Sequence, residues 1–187
     1  ERQEPFYEEM AIVGVDGRYP DAENLNEFWK NISKGKNCIS EIPKDRWTLD
    51  EFFDEEFKDK TKSKSKWGGF IKNVDKFSPL FFNLSPREAI YMDPQERLLL
   101  ETIWKTIEDA GYTPEKLKQD TVGIFVGNMI NQFSLVAENN EKSASVINST
   151  GWTLANRLSF YYDFNGPSIV INTACSSSLT AIHMACE

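Results

Sequence analysis

Histidine and cysteine, the residues that most often build metal sites and disulfide frameworks, are scarce in this sequence. Its 187 residues include one histidine, His183, and three cysteines. The cysteines, Cys38, Cys175 and Cys186, are odd in number and lack any spacing typical of metal ligands. This pattern favours free thiols in a reducing, cytoplasmic protein over a disulfide framework.

Positive charge and long apolar runs are scarce as well. The net charge of −8 at pH 7 argues against the basic face that a nucleic-acid binder needs. No apolar run approaches the roughly 20 residues that cross a bilayer, and the N-terminus lacks the form of a signal peptide. We therefore expect neither nucleic acid nor a membrane as a partner. The hydrophobic content of 40% is that of an ordinary globular protein.

Short apolar runs alternate with helical patterns along the chain. Strands are predicted at Met10–Val15, Val122–Val126 and Ser168–Asn172. Helices are predicted from apolar stripes that begin at Leu25 after an Asn24 cap, at Asp93–Pro94 with a stop at Gly111, at Thr153 and at Ser176. Because the strands are apolar throughout, the order predicts an α/β architecture with a covered, largely parallel sheet.

Two further features concern the surface and the ends of the chain. The segment from Cys38 to Trp67 is polar and lacks periodicity, so we expect a surface excursion. Its lysine-rich run, Lys58–Lys66, fits a solvated loop better than a docking site for an acidic carrier protein. The chain begins on Glu1 and stops at Glu187 inside a helical pattern, so we expect an excerpt of a longer protein.

Cys175 lies where a predicted strand ends and a predicted helix begins. Backbone N–H groups at a helix N-terminus favour negative charge, so a thiolate is stabilised there. The same groups can stabilise charge that develops on a thioester oxygen. We expect the helix to be central and buried, because Ala174–Cys186 contains no charged residue if His183 is neutral. From these residues alone, Cys175 is explained about equally well as a nucleophile and as a small buried hydrophobic residue.

An ordered series of motifs resembles the β-ketoacyl synthase domain of type I modular polyketide synthases. The segment Gly166–His183, with Asn172-Thr-Ala-Cys-Ser-Ser-Ser178 at its centre, resembles the active-site segment of β-ketoacyl synthases. The other motifs, in the family's order, are Trp67–Ile71, Phe77–Phe82, Ser85–Ala89, Met92–Glu101, Asp109–Tyr112, Val122–Gly127 and Ala155–Ser159. The resemblance covers nearly the whole chain from Met10 to Cys186.

The resemblance implies a thiolase-like fold of two similar halves, layered as helix–sheet–helix–sheet–helix, in a homodimer. Residues 1–9 would be an N-terminal extension, and residues 10–187 the N-terminal part of a ketosynthase domain. Cys175 would accept an acyl chain from the phosphopantetheine thioester of an acyl carrier protein. A malonyl-type extender would then lose CO₂ and condense with the acyl group. The domain itself would bind no cofactor or metal, and other polyketide synthase domains would be its partners.

The family's two catalytic histidines come from its second half, so we expect the 187-residue chain alone not to condense. His183 lies about 12 Å along the helix from Cys175 at 1.5 Å per residue, and we expect it to be a core residue. Asn172 departs from the aspartate that the family usually carries. Two alternatives stay open: a ketosynthase that transfers acyl groups without elongating them, and an interaction module that supplies dimer and docking surfaces.

Other residues have expected structural roles. Asp93 should cap its helix, with Arg97 on the helix surface, and Asn156 and Arg157 should support the structure near the active site. The segment Met129–Gln132 follows a strand end, where α/β proteins place ligand contacts, so it either shapes the acyl pocket or packs as a loop. Cys38 and Cys186 should be structural.

Overall fold

The computed structural model describes residues 9–133 and 150–187. The chain divides into two compact units, one formed by Asp16–Val74 and the other by Glu1–Val15 with Asp75–Glu187. Among the described residues, no helix is both long and apolar enough to cross a membrane.

The Asp16–Val74 unit is small and rich in turns. It contains helix α1 (Leu25–Ser33), helix α2 (Leu49–Phe52) and an antiparallel pair of short strands, β1 (Ser40–Glu41) and β2 (Trp67–Gly68). The predicted cap of α1 is confirmed, because the Asn24 side chain accepts a hydrogen bond from the Glu27 amide at 3.0 Å. Helix α1 ends before Gly35, which takes a positive φ of 61°.

The larger unit carries most of the regular structure. In chain order it contains a first 3₁₀ turn (Pro79–Phe82), α3 (Pro86–Tyr91), α4 (Pro94–Asp109), α5 (Pro114–Leu117), β3 (Ile124–Gly127), α6 (Thr153–Tyr162), β4 (Ser168–Ile171), a second 3₁₀ turn (Ala174–Ser176) and α7 (Ser177–Cys186). Strands β3 and β4 pair in parallel, with Ile124 opposite Ser168 and Gly127 opposite Ile171. The predicted α/β class and parallel sheet are confirmed.

The core of this unit forms between α4, α6 and the two strands. Helix α6 packs against α4 and against both strands, and α7 packs mainly against β3. The buried cluster comprises Phe82, Met92, Leu100, Ile107, Ile124, Ala155, Leu158, Tyr162 and Phe164. The Tyr162 hydroxyl donates to the Leu100 carbonyl at 2.9 Å, so the one phenol at the centre of the cluster has a hydrogen-bond partner.

Helix α4 forms as its sequence predicts. The buried Asp93 caps it by accepting a hydrogen bond from the Gln95 amide at 2.8 Å, and Pro94 occupies its first position. Pro94 fits there because the first-turn amides have no partner within the helix. Past the end of α4, Gly111 takes a positive φ of 74°. Arg97 is half-buried, so its predicted place on the helix surface is only partly right.

The strand predicted at Met10–Val15 is wrong for the part of the chain that the structure describes. A strand requires a hydrogen-bonded neighbour, and no described strand pairs with this segment. Instead, the Val15 amide donates to the Asp109 side chain at 2.9 Å. Much of its apolar surface is exposed, including 87% of Ile12. The sequence indicates an apolar segment but cannot indicate what pairs with it.

Candidate active site

Cys175 lies on the second 3₁₀ turn, between the end of β4 and the start of α7. Its side chain is an exposed free thiol. It therefore stands immediately before Ser176, the N-cap residue of a ten-residue helix. The strand–cysteine–helix placement predicted from the sequence is confirmed, and Cys175 is not buried among the described residues.

The backbone turns sharply one residue before the cysteine. Ala174 takes a left-handed conformation with a φ of 54°, which a non-glycine residue adopts only when its surroundings hold it there. Its amide donates to Asn172 Oδ1 at 3.1 Å, and its carbonyl accepts from Ser177 Oγ at 2.6 Å. The amide and carbonyl of Ala174 are therefore both fixed by side chains.

The serines and threonines of the turn fasten it to the helix that follows. The Thr173 amide donates to Ser177 Oγ at 3.0 Å, and Ser176 Oγ donates to the Thr173 carbonyl at 2.8 Å. Thr173 Oγ1 also lies 3.0 Å from Thr180 Oγ1, one turn further along α7. These bonds tie the turn to α7, although the Ser176 side chain makes no cap bond to an amide of the first helical turn.

Helix α7 approaches β3 very closely. A Cβ placed at Gly127 would lie 2.6 Å from the Ser178 backbone nitrogen and 2.7 Å from the Ser177 carbonyl carbon. Glycine is therefore required at this position for a steric reason, and small residues face it. On α7, only Ser177 and Ala181 are buried.

The expectation that α7 is central and buried is wrong for the described chain. Its large side chains are exposed, with 74% of Leu179 and 61% of Ile182 accessible to solvent. His183, predicted to be a core residue, has 68% of its side chain exposed and lies 4.0 Å from the Glu187 carboxylate. The close approach at Gly127 leaves room only for small side chains between the helix and the strand, and the residues buried there are Ser177 and Ala181.

The segment after β3 is held against both α4 and the nucleophile turn. Gln95, near the start of α4, donates to the Ile130 carbonyl at 3.1 Å and accepts from the Asn128 side chain at 2.6 Å. The Asn172 side chain donates to the Met129 carbonyl at 3.2 Å. The two strand ends therefore meet beside Cys175, as parallel pairing of β3 and β4 requires.

A buried carboxylate lies on α4, and sequence reasoning missed it. Glu96 is 1% exposed, accepts a hydrogen bond from Thr153 Oγ1 and pairs with Arg157 Nε at 2.7 Å. Burial raises the pKa of Glu96, although Thr153 and Arg157 oppose that rise. Its position four residues before Leu100 on the apolar stripe was the available signal, since a charge on such a stripe needs a buried partner.

Asn156 and Arg157 hold α6 in place. Asn156 Oδ1 accepts a hydrogen bond from Ser168 Oγ at 2.8 Å, which ties α6 to the first residue of β4. Arg157 ties the same helix to Glu96 of α4. The predicted structural roles of both residues are confirmed.

The remaining cysteines and the lysine-rich run are described by their own surroundings. Cys186, at the other end of α7, is exposed and Cys38 is half-buried, so the structural role predicted for Cys186 finds no support in packing. In the lysine-rich run, Lys58 pairs with Glu56, and Lys66 pairs with Glu41 at 2.7 Å. No group of acidic, histidine and cysteine side chains among the described residues could hold a metal ion.

An open apolar groove of about 1000 Å³ runs along one side of the larger unit. It is bounded by the segment Ala11–Gly14, by α4, by β3 and by α7. Its lining includes Leu99, Ile103, Phe125 and Ile182. A patch of this kind on a folded protein marks a surface that another chain segment or a partner covers.

Comparisons with known proteins assign the chain to a family. Residues 7–187 match the model of the β-ketoacyl synthase N-terminal domain. The chain is 50% identical over 96% of its length to the polyketide synthase PksL of Bacillus subtilis, of which it spans 4%. It resembles the oxazolomycin ketosynthase domain of Streptomyces albus (TM-score 0.87, 44% identity, 94% of this chain and 31% of that one).

A second solved structure agrees. The ketosynthase from module 6 of the bacillaene synthase of Bacillus subtilis, solved as a cysteine-to-serine mutant, matches with a TM-score of 0.82 and 36% identity. The match covers 94% of this chain and 29% of that one. The thiolase-like fold implied by the sequence motifs is therefore confirmed. The chain belongs to the β-ketoacyl synthase family, with the polyketide synthase ketosynthases as its relatives.

Proposed function

We propose that Cys175 is the acyl-accepting nucleophile of a polyketide synthase ketosynthase, of which residues 10–187 form the N-terminal part of the domain. The observation that carries the proposal is the placement of an exposed thiol on the tight turn between β4 and α7, directly before the helix N-cap. Family membership supports the substrate class, a thioester on the phosphopantetheine arm of an acyl carrier protein.

The first step is a transthioesterification. The Cys175 thiolate attacks the thioester carbonyl, a new carbon–sulfur bond forms, and the bond to the phosphopantetheine sulfur breaks. The departing thiolate takes up the proton that Cys175 gave up. The N-terminal end of α7 provides positive electrostatic potential for the negative charge on the attacking sulfur and on the carbonyl oxygen.

The second step joins two carbon chains. A malonyl-type extender on a carrier protein loses CO₂, and the resulting carbanion attacks the carbonyl carbon of the acyl-cysteine. The carbon–carbon bond forms as the bond to Cys175 Sγ breaks, which returns the thiol. The family's two histidines, supplied by residues outside this chain, assist decarboxylation and condensation. The working enzyme is a homodimer that acts with carrier proteins and the other synthase domains.

The open apolar groove supports a further part of the proposal, that the 187-residue chain by itself does not condense. Among the described residues, Phe125 of β3 is half-buried and Ile182 of α7 is 61% exposed along this groove. Burial of such a surface supplies the main driving force for a stable fold. Condensation by the purified 187-residue chain would contradict it.

Intact-protein mass spectrometry tests the nucleophile. The complete ketosynthase that carries this sequence is incubated with acetyl-N-acetylcysteamine, a thioester with the end group of a phosphopantetheine arm. We expect one acetyl group on Cys175, lost in Cys175→Ala and kept in Cys186→Ala. Cys186 is the matched control because it is an exposed thiol at the far end of α7, the helix that follows Cys175. Acetylation that persists in Cys175→Ala would rule out this assignment.

A further inference from the structure

The side chain of Asn172 makes two hydrogen bonds of opposite kind beside the proposed nucleophile. Its Nδ2 donates to the Met129 carbonyl at 3.2 Å, and its Oδ1 accepts from the Ala174 amide at 3.1 Å. Both contacts select the same orientation of the amide group, because reversing it would place an NH₂ against an N–H and an oxygen against a carbonyl. A neutral amide makes both bonds, whereas an ionised carboxylate of the same shape has no donor for the Met129 carbonyl.

Each bond ends on a different element. The bond to Met129 reaches the segment that follows β3, and the bond to Ala174 reaches the residue directly before Cys175. The segment after β3 is itself held, because Gln95 binds the Ile130 carbonyl and the Asn128 side chain. Asn172 therefore connects a fixed strand end to the left-handed residue that turns the backbone into the nucleophile.

We propose that Asn172 is a positioning residue for Cys175. By bonding Met129 and Ala174 at once, its amide holds Ala174 in the left-handed conformation that sets the direction of the cysteine. This inference rests on the proposed function of Cys175, and it adds a role for the residue at which this chain departs from the family's usual aspartate. An aspartate keeps the acceptor for Ala174 but faces the Met129 carbonyl with an oxygen.

The strands and the helix next to Cys175 contain few charged residues, so a charge introduced at residue 172 should have a measurable effect on the reactivity of the thiol. The sequence contains no Asp, Glu, Lys or Arg from residue 121 to residue 133, or from residue 164 to residue 186. These ranges include β3, β4 and α7, in which His183 is the one titratable group besides the cysteines. Helix α6, which packs against both strands, contributes Arg157, paired with Glu96, and Asp163 at its end.

The test compares Asn172→Ala and Asn172→Asp with the parent sequence in the complete ketosynthase. Two rates are measured at Cys175 across a range of pH by peptide mass spectrometry: acetylation by acetyl-N-acetylcysteamine and alkylation by iodoacetamide. We expect Asn172→Ala to slow acetylation about tenfold, the effect of losing hydrogen bonds that orient one group. The pH midpoint of alkylation should stay unchanged in this variant, and thermal unfolding should stay close to that of the parent.

Asn172→Asp is expected to slow acetylation as well, and to move the pH midpoint of alkylation upward. The upward direction follows because a carboxylate beside a thiol disfavours its ionised form. Asn26→Asp is the charge control, since Asn26 is an exposed residue of α1 in the other unit of the chain. It should leave both rates and the midpoint unchanged.

The outcomes separate this inference from the proposed function. Acetylation of Asn172→Ala within twofold of the parent would overturn the positioning role. If Asn172→Ala does not fold, Asn172→Asp, which has the same shape, is measured instead. Acetylation within twofold of the parent and an unchanged pH midpoint of alkylation would then overturn the positioning role. A parent enzyme that is alkylated but never acetylated at Cys175 would instead overturn the proposed function.

Discussion

A methyl group at Gly127 would test directly how the active-site helix is placed. In the structure, a Cβ at this position would lie 2.6 Å from the Ser178 nitrogen and 2.7 Å from the Ser178 Cα. Ordinary contacts between such atoms are about 3.5–4.0 Å. The obstructing atoms belong to the backbone, so no side-chain rotation relieves the overlap. Gly127→Ala must therefore move α7 and β3 apart by about 1 Å.

That displacement has two expected consequences. Overpacking of this kind typically costs about 1–3 kcal/mol of stability, and we expect a loss in that range. The Ser177 side chain fastens Thr173 and Ala174, the two residues before Cys175, to α7, so the cysteine moves with the helix. A misplacement of about 1 Å at a reacting group can lower the rate about 100-fold. We therefore expect acylation of Cys175 to slow by up to two orders of magnitude.

The matched control is Gly151→Ala, because a Cβ at Gly151 would meet no atom of the described residues within 4 Å. Both variants would be made in the complete ketosynthase, with stability measured by denaturant unfolding and acylation by mass spectrometry with acetyl-N-acetylcysteamine. Gly151→Ala should match the parent in both measurements. If Gly127→Ala unfolds at the parent's midpoint and is acylated at the parent's rate, α7 does not lie against β3 as described.

Three further predictions concern the core, a helix cap and the two exposed thiols. Leu158→Ala should destabilise the protein by about 2–5 kcal/mol, because Leu158 is 1% exposed within the core, and unfolding measurements would check it. Ser85→Ala should cost about 1 kcal/mol by removing a helix cap. Hydrogen bonds from the Ser85 backbone and hydroxyl lower the pKa of Glu88 below its ordinary 4.5. The advantage of the parent over the variant should therefore be complete above pH 4.5 and shrink at lower pH, as Glu88 protonates in the folded state. Iodoacetamide should alkylate Cys175 about tenfold faster than Cys186, because the two thiols stand at opposite ends of the α7 dipole; equal rates would contradict this.

Local patterns in the sequence predicted the helices well. The Asp93 cap, the Pro94 start and the Gly111 stop of α4 each depend on residues within one helical turn. They can therefore be predicted from the local sequence without knowledge of the fold. Strand β4 begins and ends within one residue of its predicted limits, and helix α6 begins at the predicted Thr153. The position of Cys175 before a helix follows from this local accuracy.

Contacts between distant segments could not be predicted in the same way. The apolar run Met10–Val15 has a strand's composition, but pairing depends on a neighbour that no local pattern identifies. The exposure of Leu179 and His183 was missed because apolar spacing shows which residues share a helix face, but does not show which face is covered. The salt bridge between Glu96 and Arg157 joins residues 61 positions apart, so only the charge on an apolar stripe pointed to it.

The close approach at Gly127 also explains the composition of the nucleophile segment. With α7 so near β3, the residues on its inner side must be small, which accounts for the buried Ser177 and Ala181. Serine meets this limit and also supplies a hydroxyl, and Ser177 uses that hydroxyl to bind both Thr173 and Ala174. An alanine there would satisfy the size limit but release the turn. The inner side of the segment after Cys175 is therefore restricted first by volume and then by hydrogen bonding.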